Sequence, residues 1–244
     1  MTTLVVLQPS YLPWVGFFDQ VRRCDQFIFY DDVQYDKHGW RNRNRIKTAQ
    51  GPAWLTVPVR TRGRMGQPIC EVDVSHETPW ARKQIKSIEE AYARAPHRQP
   101  YLAELAALLT RPWERLADLD IAATELLCSW FGLKRPMHRS SQLGIGGDRN
   151  ERLLALCQHF KADHYLSGAA ARSYLDLALF EANGIRVEFQ DYRHPVYAQQ
   201  HGDFLPYMSA LDLVLNVGKD CATVLATPGP AFASDDASHQ PPEE

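Results

Sequence analysis

Leu4-Val5-Val6-Leu7-Gln8-Pro9 and, one helix later, Gln26-Phe27-Ile28-Phe29-Tyr30-Asp31-Asp32 are the two stretches that decide the fold. Each is a short apolar run without alternation, ending in polar residues. A continuous run suits a strand buried on both faces of a parallel sheet. Between the two, residues 16–24 carry Phe17, Phe18 and Val21 on one helical side. Strand, helix and strand in so short a span make a βαβ unit, which predicts adjacent parallel strands. The expected fold class is α/β, with a central, mainly parallel sheet that starts with this unit.

Working outward, strands are expected at 53–59 and 69–74, on either side of the Gly- and Arg-rich loop 61–67. Additional helices fill the middle of the chain, over 80–95, 101–109 and 116–132; the last places Leu119, Ala122, Ala123, Leu126 and Leu127 at helical spacing. A helix at 150–160, a strand at 164–168, a helix at 175–183 stopped by Gly184, a strand at 185–190 and a helix at 209–215 follow. The organisation read from this is one α/β domain over 1–227, helical at about 80–160. A disordered tail is expected at 228–244, where periodicity is absent.

Composition sets the class. Hydrophobic residues make up 45% of the 244 and charged residues 23%, an ordinary globular balance. The net charge is −2, and four of the 29 acids lie in the last ten residues. A nearly neutral body lacks the basic excess that duplex nucleic acid demands. The five cysteines are odd in number and form no CxxC pair, so neither a disulfide framework nor a zinc site is expected. The opening Met-Thr-Thr-Leu-Val-Val-Leu lacks a basic leader, and no apolar run is long enough to span a bilayer. A cytoplasmic protein without membrane insertion is expected.

Three constellations can carry chemistry. In Gln8-Pro9-Ser10-Tyr11-Leu12-Pro13-Trp14-Val15-Gly16, Gln8 offers an amide, Tyr11 a hydroxyl and Trp14 a stacking face. Gly16 admits a ligand to the helix start. Such loops, at the carboxyl ends of parallel strands, are where open α/β sheets bind ligands. The plainer reading makes Tyr11, Trp14 and Phe17 core aromatics. In Asp31-Asp32-Val33-Gln34, the two carboxylates point opposite ways on an extended chain. One caps a turn while the other reaches the site, where a metal or a ribose hydroxyl are candidate partners. In Trp40-Arg41-Asn42-Arg43-Asn44-Arg45, the arginines share one face, and guanidinium forks grip phosphate or carboxylate. Two alternating asparagines are unusual in a purely structural strand. Weaker candidates are Ser167, at a strand end, and Tyr197. His194, His201 and Asp203 match no metal-ligand spacing and read as exposed loop residues, so no metal site is expected. The loop 143–147 lacks both the P-loop lysine and dinucleotide-fingerprint spacing.

The blocks Gln8-Pro9-x-Tyr11-Leu12-Pro13-Trp14-x-Gly16-Phe17-Phe18, Tyr30-Asp31-Asp32-Val33-Gln34-Tyr35 and Trp40-Arg41-Asn42-Arg43-Asn44-Arg45-Ile46 resemble the WbqC-like protein family. So do Trp54-Leu55-Thr56-Val57-Pro58-Val59, Tyr165-Leu166-Ser167-Gly168 and Ser209-x-Leu211-Asp212-Leu213. The blocks keep one order over residues 4–218. The resemblance implies a role in O-antigen or related polysaccharide biosynthesis, with glycine transfer proposed for some members. The strand-loop-glycine-helix layout is also Rossmann-like and nucleotidyltransferase-like. There, related ligases carry His-x-Gly-His; here Trp14 and Phe17 replace both histidines.

The function expected is an aminoacyl-type transferase acting on an amino sugar or sugar nucleotide. Asp31, Asp32 and Gln8 are its catalytic candidates. Tyr11, Trp14, Gln34, Trp40, Arg41, Asn42, Arg43, Asn44, Ser167 and Tyr197 are its substrate-binding candidates. A sugar nucleotide or an activated amino acid is the expected small-molecule partner, and the residues name no cofactor. The competing readings are a non-catalytic binder of a nucleotide sugar or partner enzyme, and an ATP-using ligase.

Overall fold

In the computed structural model, residues 1–230 are described. The chain enters at the centre of its main sheet. β1 (Thr3–Leu7) leads through α1 (Val15–Arg23) to β2 (Gln26–Phe29), and the two strands pair in parallel, Leu4 opposite Gln26. A third strand, β5 (Met137–Arg139), joins the outer edge of β2. The chain then crosses through α5 (Arg149–His159) to the other side of β1, placing β6 (His164–Ser167), and passes through α6 (Leu177–Ala182) to β7 (Arg186–Phe189). All four pairings are parallel, giving the order β5-β2-β1-β6-β7. The direction of build-out therefore reverses between β1 and β6.

Strand alternation divides the core in two. Val5, Leu7, Phe27, Phe29 and Leu166 face one side and pack with Phe17, Phe18 and Val21 of α1. The same core takes in the helices α2 (Trp80–Ala91), α3 (Arg98–Leu109) and α4 (Leu116–Trp130), with α7 (Ala210–Val217) and α8 (Cys221–Ala226). Leu4, Val6, Ile28 and Tyr165 face the other side, under Leu153, Leu156 and Cys157 of α5 and Phe180 of α6. Both faces are covered, which is why the strand sequences run apolar without alternation.

A separate antiparallel hairpin, β3 (Arg43–Thr48) and β4 (Gly51–Thr56), pairs Arg45 with Trp54. Gly51, at φ +100°, closes its tight turn, a conformation glycine adopts without steric cost.

Several expectations shift. The strand expected at 69–74 is a 3₁₀ turn at Ile69–Glu71 followed by isolated bridges at Asp73 and Val74. Ile69 and Val72 bury together three residues apart, a helical rather than a strand spacing. β5 went unread because three residues carry no period, and α8 because it has only six. Of the tail expected at 228–244, residues 231–244 lie outside the described residues. Gly229 is engaged: its N–H donates to the Arg193 carbonyl at 3.1 Å. Cys24, Cys128, Cys157 and Cys221 are buried thiols, and burial pushes the first three up to about 12.

Candidate functional site

The reversal between β1 and β6 opens a cleft of about 430 Å³ at the carboxyl ends of the strands. This is where open parallel sheets place ligands, because the flanking loops there diverge to opposite faces. The size suits a small molecule. Leu7 and Gln8 enter the cleft from β1, Tyr30, Val33 and Gln34 from beyond β2, and Ser167 and Gly168 from the end of β6. Gly147, Asp148, Arg149 and Arg152 close it from the start of α5, with Tyr174 at the rim.

Three of the expected site residues, Gln8, Gln34 and Ser167, line this cleft. Arg149, Arg152, Tyr30 and Tyr174 were not expected. Arg152 lies 4.8 Å over the Tyr30 ring and pairs with Asp32, while its buried Nε has no hydrogen-bond partner. A buried donor left unpaired costs about 1–3 kcal/mol. Arg149 lies 4.5 Å over the Tyr174 ring. Burial raises the pKa of the Tyr30 hydroxyl, and Arg152 and Arg149 both oppose that rise. Both guanidiniums therefore act in one neighbourhood. Their helix is capped by its own acids: Asp148 accepts from the N–H groups of Asn150 and Glu151, each at 2.9 Å.

The two aspartates have separate tasks. Asp31 is fully buried and accepts four hydrogen bonds: from Arg139 Nε at 2.7 Å, Ser141 N at 2.9 Å, and the hydroxyls of Ser141 at 2.9 Å and Ser140 at 3.3 Å. It ties the end of β2 to the turn after β5. Asp32 is held by the Ser140 hydroxyl and Arg152. Neither carboxylate lines the cleft.

The remaining expected residues are placed elsewhere. Tyr11 is buried, its hydroxyl donating to Gln84 Oε1 at 2.7 Å. Trp14 packs edge-on against Tyr192 at 4.9 Å and lies across Gly16, where an added Cβ would meet the indole at 2.0 Å. Gly16 thus makes room for Trp14, and the indole fills the space expected to admit a ligand. Asn44 donates to the carbonyls of Tyr11 at 3.2 Å and Leu12 at 2.8 Å, and Asn42 to Val57 at 2.8 Å. Arg41 is buried and donates to the Pro9 carbonyl at 3.4 Å. Arg43 donates to the Gly39 carbonyl at 3.2 Å and lies 4.6 Å over Trp54, whose ring is 5.1 Å from that of Trp40. Arg41 and Asn44 bind the hairpin to the loop after β1, Asn42 and Arg43 hold segments that flank the hairpin, and none of these residues lines the cleft.

Tyr197 belongs to a buried network: Asp212 accepts from its hydroxyl at 2.9 Å, from Tyr92 at 2.8 Å and from Gln199 at 2.7 Å. Burial still raises the Asp212 carboxyl above its ordinary value. His194, read as exposed, is 1% exposed and ringed by Tyr192, Tyr197, Phe204 and Tyr207. Burial pushes it down to about 4, so it is neutral at pH 7. Its aromatic neighbours are spread over 190–209, a segment that no local period reveals. Among the described residues no cluster of three His, Cys, Asp or Glu side chains is placed to hold a metal ion, and no helix is long and apolar enough to cross a membrane.

No solved structure gives a significant match to the chain. A protein of Mycobacterium tuberculosis (strain ATCC 25618 / H37Rv), the uncharacterized protein Rv1507c, is 39% identical over 231 residues, covering 92% of this chain and 98% of that protein. The model of the WbqC-like protein family matches residues 8–223, and on that match and that relative the chain belongs to the WbqC-like protein family.

Proposed function

We propose that this chain is a transferase of bacterial surface polysaccharide synthesis that binds an activated amino sugar in the cleft between β1 and β6. The transferred group is an aminoacyl unit such as glycine. The observation that carries the reading is the cleft itself: a small-molecule cavity at the sheet's reversal point, presenting the Gln8 and Gln34 amides and the Ser167 hydroxyl. Acyl transfer to an amine needs a group to take the amine proton and donors for the developing oxyanion. The Gln8 and Gln34 amides supply donors. Asp32, adjacent through Arg152, is the nearer of the two aspartates to the cleft wall.

The test is mass-spectrometric: purified protein, nucleotide-linked amino sugars and activated amino acids, with acylated sugar as the expected product. Loss of product in Gln8→Ala or Ser167→Ala, with an unchanged melting temperature, supports the reading. No product from any pair sinks it.

A second reading, a binder without chemistry, draws on one observation. Asp31 and Asp32 are both committed to internal cations and hydroxyls, which leaves neither as a free base. Saturable binding of a nucleotide sugar with no turnover is its signature.

A further inference from the structure

We propose that the ligand of this cleft carries a diphosphate, and that Arg149 and Arg152 on the first turns of α5 are the groups that hold it. The inference deepens the proposed function and rests on the same cleft being the ligand site.

The first argument is electrostatic. The start of a helix carries partial positive charge and favours acids, so arginines there work against the fold. Yet α5 places Arg149 at its first residue and Arg152 one turn on. The helix does not need them for capping, since Asp148 and Glu151 form a complete capping box. Two cations put where the backbone is already positive concentrate field on whatever enters the cleft.

The second argument is geometric. Each guanidinium is stacked on a tyrosine ring, Arg152 at 4.8 Å from Tyr30 and Arg149 at 4.5 Å from Tyr174. A ring contact holds a guanidinium in place without consuming its N–H groups. Arg152 is further oriented through its Nη2 by Asp32, and its Nε is without a partner. Asp32 answers Arg152, and the carboxylates of Asp148 and Glu151 accept from backbone N–H groups, which leaves Arg149 to the ring of Tyr174. With the α5 amides occupied by Asp148, the side chains must do the holding. Two forks one helical turn apart match two linked phosphoryl groups better than a single carboxylate.

The experiment uses the full chain, with calorimetric titration of inorganic pyrophosphate, of ADP, GDP, UDP and CDP, and of the four matching nucleosides. Pyrophosphate is expected to bind, and at least one nucleoside diphosphate to bind roughly tenfold or more tighter than its nucleoside. Arg149→Lys and Arg152→Lys keep the charge and lose the fork, so each should weaken that diphosphate roughly tenfold and leave the nucleoside unchanged. Arg149 sits on an exposed first turn, so Arg149→Lys remains a valid test if Arg152→Lys does not fold. Failure of all these probes to bind overturns the inference, as does a nucleoside that binds as tightly as its diphosphate, or diphosphate binding indifferent to both lysine variants. Diphosphate binding without acyl transfer removes the transferase reading and keeps this one. Transfer that survives both lysine variants does the reverse.

Discussion

Two arginine-rich regions stand in this molecule, and their surroundings differ. Around β3, Arg41 and Arg43 reach backbone carbonyls, and Asn42 and Asn44 do the same between them. At the start of α5, Arg149 and Arg152 reach tyrosine rings and a cleft. A guanidinium or amide whose protons end on main-chain oxygen is holding the fold. One held flat by a ring and a single carboxylate, beside a cavity, is held ready. Counting cations in the sequence cannot separate the two; their acceptors can.

The contrast breaks first at Asn44. Asn44→Ala leaves the carbonyls of Tyr11 and Leu12 without their donor in a buried place. The expected loss is about 3 kcal/mol, two unsatisfied groups at ordinary cost. For a domain this size that lowers the melting temperature by roughly 6–12 °C. An unmoved melting temperature with lost ligand binding would make the hairpin the site.

His194 sharpens the comparison through pH, since its segment covers the hairpin: Lys47 of β3 donates to Gln199 at 3.1 Å and to the Gly202 carbonyl at 3.2 Å. The folded histidine titrates near 4, below its unfolded value, so the unfolded chain takes up the proton first as pH falls. Stability from this group is complete above about pH 6.5 and is lost toward pH 4. The contribution lost between pH 7 and pH 5 is about 2 kcal/mol. Chemical denaturation of wild type and His194→Gln at both pH values reads it as a smaller slope in the variant. Equal slopes would mean that the ring is not closed off from water.

Smaller effects separate the arginines themselves. Arg43→Lys gives up the Gly39 contact and the Trp54 stack, costing about 1 kcal/mol by urea unfolding with ligand affinity intact. Arg149→Gln should leave stability within about 0.5 kcal/mol of wild type, because relief at the helix start offsets the lost Tyr174 contact, while weakening anion binding. A destabilised Arg149→Gln would place that arginine with the hairpin set.

What the sequence disclosed follows the range of the interactions. The βαβ start was readable because burial on both faces leaves a continuous apolar run in each strand. That Gln8, Gln34 and Ser167 reach the cleft was readable because strand ends mark the carboxyl edge of any parallel sheet. The asparagines at 42 and 44 read as site residues, whereas their amides donate to the carbonyls of Val57, Tyr11 and Leu12, partners that no local pattern discloses. Arg149 and Arg152 followed a glycine loop set aside for lacking a phosphate-loop lysine. The usable clue was local: an Asp148-x-x-Glu151 capping box with arginines, rather than more acids, filling the same first turns.

The place of β1 in the sheet bears on how the protein comes to be competent. The cleft needs Thr3 to lie beside His164, two residues 161 apart in the chain. Such a pairing closes a very long loop, the kind of contact that slows folding and forms after local structure is in place. During synthesis, β1 and β2 can pair early, yet the cleft does not exist until β6 has emerged and docked. A ligand bound there stabilises only finished molecules. Nascent or truncated chains ending before residue 164 would lack the β6 side of the cleft, with Ser167, Gly168 and Tyr174.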